Sequence, residues 1–246
     1  INSVYTGIAG SHISGENLKG VVALKKQEVT RDDISRAVES ARTLAVIPHE
    51  RRILHVLPRE FMVDDQEGVR EPLCMSGNRL EVNIHVITGA VTSAQNIIKS
   101  VNRAGLDVVD IILQPLASSE AVLSAEEREL GVAMVDLGGG TTDLAIFLDG
   151  SIRHTAVLPI GGQNLTKDLA IGLLTSQTDA EKIKVQHGIA RTELVHGHQM
   201  VEVPSVGDRP PRQFTRRDIA EILEPRVEEM FDLVKREIVR AGYEGM

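Results

Sequence analysis

The sequence contains no tryptophan, and its 246 residues include only two tyrosines and four phenylalanines. So few aromatic rings exclude the stacking platforms that hold bases or sugars. Cys74 is the single cysteine, so no internal disulfide can form, which fits a reducing compartment. Positive charge is in the minority: 27 Lys and Arg face 35 Asp and Glu, a formal net charge of −8. That balance argues against a general nucleic-acid binder. No apolar run is long enough to span a bilayer, and no secretory signal is visible. What remains, 42% hydrophobic and 25% charged residues, is the composition of a globular protein with material for two modest domains. The chain opens on Ile1 and stops at Met246 just after a helical pattern, so it reads as a fragment cut at both ends.

The most constrained stretch runs from Gly131 to Phe147. Val132 to Val135 is a continuous apolar run that predicts a buried strand, and Leu144 to Leu148 predicts a second. Between them stand Gly138, Gly139, Gly140, Thr141 and Thr142. Glycines in a tight hairpin let backbone N–H groups converge on an anion, and threonine hydroxyls add donors. Asp136 ends the first strand, where one carboxylate can hold Mg²⁺ through its water shell. The pattern points to a phosphate-binding hairpin. Pro159-Ile-Gly161-Gly162 forms a second glycine turn that opens a helix from Asn164 to Leu174, a place where pyrophosphate or ribose can sit.

Elsewhere the pattern alternates strands and helices. Ser3 to Ala9 reads as a strand, and Val21 to Leu24 as a short second one. Thr30 and Asp33 form a capping box before a helix that carries Ile34, Ala37, Val38, Ala41 and Ala45 on one face. Arg52 to Leu57 is a strand in which His55 reads as a packed residue. Asp64 to Gly77 reads as a solvated loop. Next come a strand (79–88), a helix (93–104), a strand (107–113) and a short helix (117–123), an order that implies parallel strands with a right-handed crossover. Glu126 to Glu129 reads as a solvated connector. Ser151 to Leu158 completes a meander after the hairpin, and Asp179 to Gly188 is a helix carrying Glu181 and Lys184 on one face. His187, His196 and His198 lack a zinc-site pattern. Arg209, Arg212, Arg216 and Arg217 make a local basic patch before a helix capped by Thr215 and Asp218. Pro225 predicts the start of a new helix that turns Val227, Met230, Phe231, Val234 and Ile238 inward.

With these elements placed, the chain resembles the actin-like ATPase superfamily and, within it, the bacterial cell-division family FtsA. The resemblance covers essentially the whole chain. It rests on Ser3-Val-Tyr, Gly10-Ser-His-Ile-Ser-Gly15, Leu54-His-Val-Leu-Pro58, Asp136 to Asp143, Asp179 to Gly188 and Val203-Pro-Ser-Val-Gly-Asp-Arg-Pro-Pro-Arg212. It implies an α/β, ribonuclease H-like fold of two lobes with a small inserted α+β subdomain, here incomplete. Residues 1–80 would be the inserted subdomain (1C-like), 81–128 the rest of the first lobe (1A-like) and 129–160 the hairpin and meander of the second lobe (2A-like). Residues 161–225 would be the upper second lobe (2B-like), and 226–246 a helix returning to the second lobe. The first phosphate hairpin is expected before Ile1 and the adenosine-binding Gly-Gly turn after Met246.

The resemblance also implies roles. Gly138, Gly139, Gly140, Thr141 and Thr142 would bind the phosphates of ATP. Gly161 and Gly162 would lie under ribose and phosphates, and Glu181 and Lys184 would flank the adenosine. Asp136 would hold Mg²⁺ through water, and Gln114 would position the attacking water of an at most slow ATPase. Arg209, Arg212, Arg216, Arg217 and Arg226 would take the acidic C-terminal tail of the tubulin-like protein FtsZ. Residues 1–80 would meet later division proteins, and copies of the chain would self-associate into filaments. The resemblance implies a cytoplasmic location at the membrane's inner face at the division site, with attachment only through a segment outside this sequence. A metabolic kinase or a pilus-assembly relative are the alternatives.

Overall fold

A computed structural model describes residues 2–207 and 209–245; Asp208, inside the basic stretch, lies outside the described residues. The chain divides into two units. One takes the residues up to Asp136 together with Asp143–Val157, and the other takes Leu137–Thr142 and Leu158–Gly245.

In the first unit, β1 (Ser3–Ile8) and β2 (Ser14–Ala23) lead to helix α1 (Arg31–Arg42), then β3 (Arg51–Val63), β4 (Gln66–Val69) and β5 (Arg79–Ala90). The order β2-β5-β3-β4 forms an antiparallel sheet. One face packs Leu80, Val82, Ile84 and Val86 against Ala37 and Ala41 of α1. Each large apolar side chain buried there contributes about 1.5–3 kcal/mol relative to exposure. Gly20 is where sheet and helix touch: a Cβ there would lie 2.2 Å from Ala37 O and 2.6 Å from Ala41 N. The Thr30–Asp33 capping box closes as expected, with Thr30 N–H donating to Asp33 at 3.0 Å and Asp33 N–H to Thr30 Oγ1 at 3.3 Å.

Several expectations change here. The sheet does not end at residue 80, because β5 is paired on both sides, by β2 and β3. The expected loop after Asp64 contains β4, and Asp64 is not merely solvated: it accepts the N–H groups of Asn78 at 3.0 Å and Arg79 at 2.9 Å. After helix α2 (Val91–Arg103), strand β6 (Asp107–Leu113) pairs in parallel not with β5 but with β1, over a small core of Ile8, Ala94 and Ile111. Helix α3 (Gln114–Val122) begins earlier than the sequence suggests, with Pro115 in its first turn, where a missing N–H costs nothing. The connector of acids is helix α4 (Ala125–Leu130). Its Glu127 closes a capping box with Ser124, and Glu129 pairs with Arg70 at 2.5 Å. Strands β7 (Val132–Leu137), β8 (Thr142–Leu148) and β9 (Ser151–Leu158) form the predicted meander.

The second unit packs α5 (Gly162–Gly172), α6 (Gln177–His187), the hairpin of β10 (Met200–Val203) and β11 (Arg212–Thr215), and α7 (Arg216–Arg240) around Leu169, Leu173, Ile183, Val203, Ile219 and Leu223. Helix α7 runs through Pro225 instead of restarting there. The buried residues Leu223 and Met230 hold it on either side. Arg226 clamps it to α5 through Asp168, at 2.6 and 3.1 Å. Phe231 points outward, 51% exposed, contrary to the inward position its spacing suggested. Among the described residues no helix is long and apolar enough to cross a membrane.

Candidate functional site

The glycine hairpin tip and the second glycine turn meet in the second unit. The tip closes with Gly138 N–H donating to Thr141 O at 2.9 Å. Helix α5 starts directly against it: Gly162 N–H donates to Gly138 O at 2.9 Å, and Gln163 N–H to Gly139 O at 2.8 Å. Gly161 is a glycine because of this approach. A Cβ there would stand 2.6 Å from Gly138 O and 2.7 Å from Gly139 O. Asn164 Oδ1 accepts the Gly161 N–H at 3.0 Å and fixes the turn from the helix side.

This geometry corrects two expectations. The first amide donors of α5 are spent on the hairpin's carbonyls, so its N-terminus braces the hairpin instead of offering itself to an anion. Thr142 is fully buried, and its hydroxyl donates to Ile160 O at 2.8 Å, so it secures the second turn and is not a free donor. Gly139 and Gly140 remain. Both are exposed, and neither N–H is engaged by an acceptor among the described residues. A Cβ on either would meet nothing closer than Gln163, at 3.9 and 4.0 Å. Neither glycine has a positive φ. The chain's own packing and backbone therefore give no reason for glycine here, whereas a ligand resting on these two N–H groups would.

Glu181 and Lys184 lie beside this assembly, joined at 2.8 Å. Lys184 Nζ also donates to Gly162 O at 3.1 Å and to Thr166 Oγ1 at 3.0 Å, tying α6 to the start of α5. The hydrogen bonds from Lys184 and then from the Thr166 hydroxyl hold the Glu181 carboxyl below its ordinary pKa, so it is an anion at neutral pH. A polar cleft of about 430 Å³ runs along these helices, lined by Gln163, Thr166, Lys167, Gln177, Thr178 and Glu181. The sequence reading missed Gln163, Thr166 and Lys167. Their i, i+3, i+4 spacing on one helical face was the available signal.

Asp136 and Gln114 belong to the first unit. Ser118 of α3 donates to Asp136 Oδ2 at 2.8 Å, and among the described residues nothing bonds Oδ1. One oriented carboxylate with one oxygen to spare suits Mg²⁺, which takes few protein ligands and keeps its waters. Gln114 is the exposed first residue of α3, lying across Gly7: a Cβ on Gly7 would sit 2.8 Å from Gln114 Cγ. Among the described residues no three His, Cys, Asp or Glu side chains gather into a cluster that could hold a metal.

The arginines have different partners. Arg209 and Arg212 line a cleft of about 480 Å³ with Ala170, Leu174, Val206 and Pro210. Arg212 also donates to Leu173 O and, at 3.4 Å, to Leu174 O, capping the C-terminus of α5, and its guanidinium stacks 5.3 Å from the Phe214 ring. Arg216 donates to His187 O at 3.1 Å, and Arg217 pairs with Glu221 at 3.1 Å. Arg226 is engaged by Asp168 and Glu229. Arg212 and Arg226 are thus structural as well as basic.

Two family models match the chain: "SHS2 domain inserted in FTSA" over residues 10–88 and "Cell division protein FtsA" over residues 133–245. The cell division protein FtsA of Pseudomonas aeruginosa is 51% identical over 246 residues, all of this chain and 59% of that protein. The cell division protein FtsA of Escherichia coli (strain K12) is 45% identical over 240 residues, 98% of this chain and 57% of that protein. The chain therefore spans less than two thirds of these relatives. A solved PilM-PilN type IV pilus biogenesis complex matches with a TM-score of 0.64 at 15% identity, over 99% of this chain and 60% of that one. At that identity the likeness is one of fold, and the fold is that of the actin-like ATPases.

Proposed function

The chain belongs to the FtsA family of cell-division proteins, and from that premise we propose that it is part of an ATP-binding, actin-like protein that polymerises and tethers FtsZ filaments to the inner face of the membrane at the division septum. The observation that carries the nucleotide part is the pair Gly139 and Gly140, bare of side chains and of neighbours, with their N–H groups unengaged on a braced hairpin. A phosphate oxygen approaching there meets fixed donors that need no reorganisation. Gly138, Thr141 and Thr142 shape the hairpin, and Gly161 and Gly162 brace it. Glu181 and Lys184, with the polar cleft beside them, would receive the nucleoside. When bound, Mg²⁺ would neutralise phosphate charge, with Asp136 holding its water shell. Gln114 is assigned to orienting the attacking water of a slow ATPase.

Binding of the acidic FtsZ tail is assigned to the Arg209–Arg212 cleft, whose apolar lining offers anchors beside the two guanidinium groups. Arg216, Arg217 and Arg226 would contribute field from nearby positions. Later division proteins would dock on the inserted domain, copies of the chain would assemble into filaments, and membrane attachment would use a segment beyond these residues. The test is co-sedimentation of the intact protein with FtsZ and lipid vesicles, with and without Mg-ATP, beside a coupled assay over a panel of sugars. Recruitment of FtsZ to vesicles is expected. Phosphorylation of a sugar without FtsZ recruitment would favour a metabolic kinase instead.

A further inference from the structure

Strand β3 carries an irregularity opposite β5: Ile53 pairs with Thr88 but His55 with Ile87, so Leu54 is an extra residue. Its consequence shows in the packing. Alternate residues of a regular strand share a face. Here Ile53 and Val56, three apart, both pack into the core beneath the four-stranded sheet, whereas Leu54 packs with Ile8 and Ile111. The bulge therefore turns His55 to the Leu54 side, towards β6. Bulges commonly re-aim a side chain in this way beside working sites.

On that side His55 Nε2 accepts the backbone N–H of Leu113 at 3.0 Å. Among the described strands, β6 pairs only with β1, so this N–H at its end takes a side-chain partner. Leu113 is the N-cap of α3, and the next residue is Gln114. Desolvation lowers the His55 pKa, with Asp110 acting in the opposite sense, which keeps the ring neutral and its lone pair available. Gln114 in turn lies against the bare backbone of Gly7, its Nε2 3.2 Å from where a Cβ would be.

We propose that His55 is a positioning residue: by holding the Leu113 N–H it fixes the first turn of α3 and with it the carboxamide of Gln114. The catalytic half of this inference rests on the reading of Gln114 as the water-orienting group. The structural half goes beyond it, because His55 lies within residues 10–88, matched by the inserted-domain family model. The inserted domain would then supply a residue that sets a hydrolytic side chain, and a shift of the β3 bulge would reach Gln114 through one hydrogen bond.

The test uses the intact protein with His55→Gln and His55→Met, which match in length while the Gln carbonyl is a full acceptor and the Met thioether only a weak one. One readout is the side-chain amide NMR signal of Gln114 in glutamine-labelled protein without nucleotide. The other is ATP turnover, separated into kcat and KM. We expect His55→Met to shift or broaden the Gln114 signal and to lower kcat about tenfold with KM within about twofold. His55→Gln should restore both. If the Met variant does not fold, His55→Asn, polar but too short to reach Leu113, takes its place. A lower melting temperature with an unmoved Gln114 signal would overturn the proposal and leave His55 a plain structural cap. A moved signal with unchanged kcat, matched by an equally silent Gln114→Ala, would uphold the positioning role and refute the water-orienting reading.

Discussion

Alanine at Gly140 and alanine at Gly161 should fail in opposite ways, although the two glycines serve one site. At Gly140 the new methyl finds its nearest neighbour, Gln163 Oε1, at 4.0 Å, an ordinary contact. The backbone there has no positive φ to strain. Losing a glycine also narrows the unfolded ensemble, so Gly140→Ala should leave stability unchanged or raise it by about 0.4–1 kcal/mol. On the proposed reading, however, the methyl would crowd a phosphate resting on these N–H groups. A displaced phosphate contact should cost about 1.4–3 kcal/mol, a loss in Mg-ATP affinity of roughly 10- to 100-fold.

At Gly161 the methyl falls within 2.7 Å of two carbonyl oxygens, so the turn must move off the hairpin. That breaks or stretches the hydrogen bonds from Gly162 N–H to Gly138 O and from Gln163 N–H to Gly139 O. At about 1 kcal/mol each, with overpacking added, Gly161→Ala should cost about 2–4 kcal/mol of stability. Urea denaturation of both variants and calorimetric titration of Mg-ATP into the intact protein measure the two effects. Wild-type affinity in Gly140→Ala, or wild-type stability in Gly161→Ala, would refute the reasoning.

Three further expectations concern the scaffold. His85 is buried, hydrogen-bonded to Asn17 at 2.7 Å and Thr155 at 2.9 Å, and its pKa falls from 6.5 to about 4, chiefly by desolvation, with His154 and Arg59 adding repulsion. The unfolded chain then takes up a proton that the folded chain refuses, so stability is full above about pH 6.5 and declines as pH falls towards 4, by on the order of 3 kcal/mol. Denaturation midpoints across that range should show the slope, and His85→Gln should flatten it. Gly20→Val would drive a side chain into the α1 backbone and should cost about 3 kcal/mol or more, read as a lower midpoint in urea. Arg226→Glu would set a third carboxylate beside Asp168 and Glu229 and should lose about 1–3 kcal/mol, whereas exposed Arg209→Glu should leave the melting temperature unchanged while weakening an FtsZ tail peptide in fluorescence anisotropy.

The hairpin region was legible because its signals are local. Val132 to Leu148 contains two apolar runs around three glycines, and the meander forms at those residues. Capping boxes at Thr30 and Thr215 were legible for the same reason. Strand β2 is longer than the Val21 to Leu24 pattern indicates, because Gly15 and Gly20 resemble loop residues in sequence. Each is instead a point of close approach, Gly15 to His85 and Thr155 and Gly20 to α1. The partner of β6 was misjudged because strand pairing is a long-range choice that order alone does not settle. Pro225 misled because propensity was outweighed by buried neighbours and the Arg226–Asp168 clamp. At the site, the glycines could be named from sequence. The burial of the Thr142 hydroxyl, the bracing of the hairpin by α5 and the capping role of Arg212 depend on folded neighbours and could not.

Titration of ATP into the intact protein, with and without Mg²⁺, for the wild type and Asp136→Ala, tests the proposed metal-nucleotide site most directly. Ser118 donates to Asp136 Oδ2, and the proposal assigns this carboxylate to a metal's water shell and not to the phosphates themselves. The account predicts that Asp136→Ala weakens Mg-ATP binding about tenfold or more while metal-free ATP stays within about twofold of wild type. Equal losses with and without Mg²⁺, or no loss in either, would contradict it.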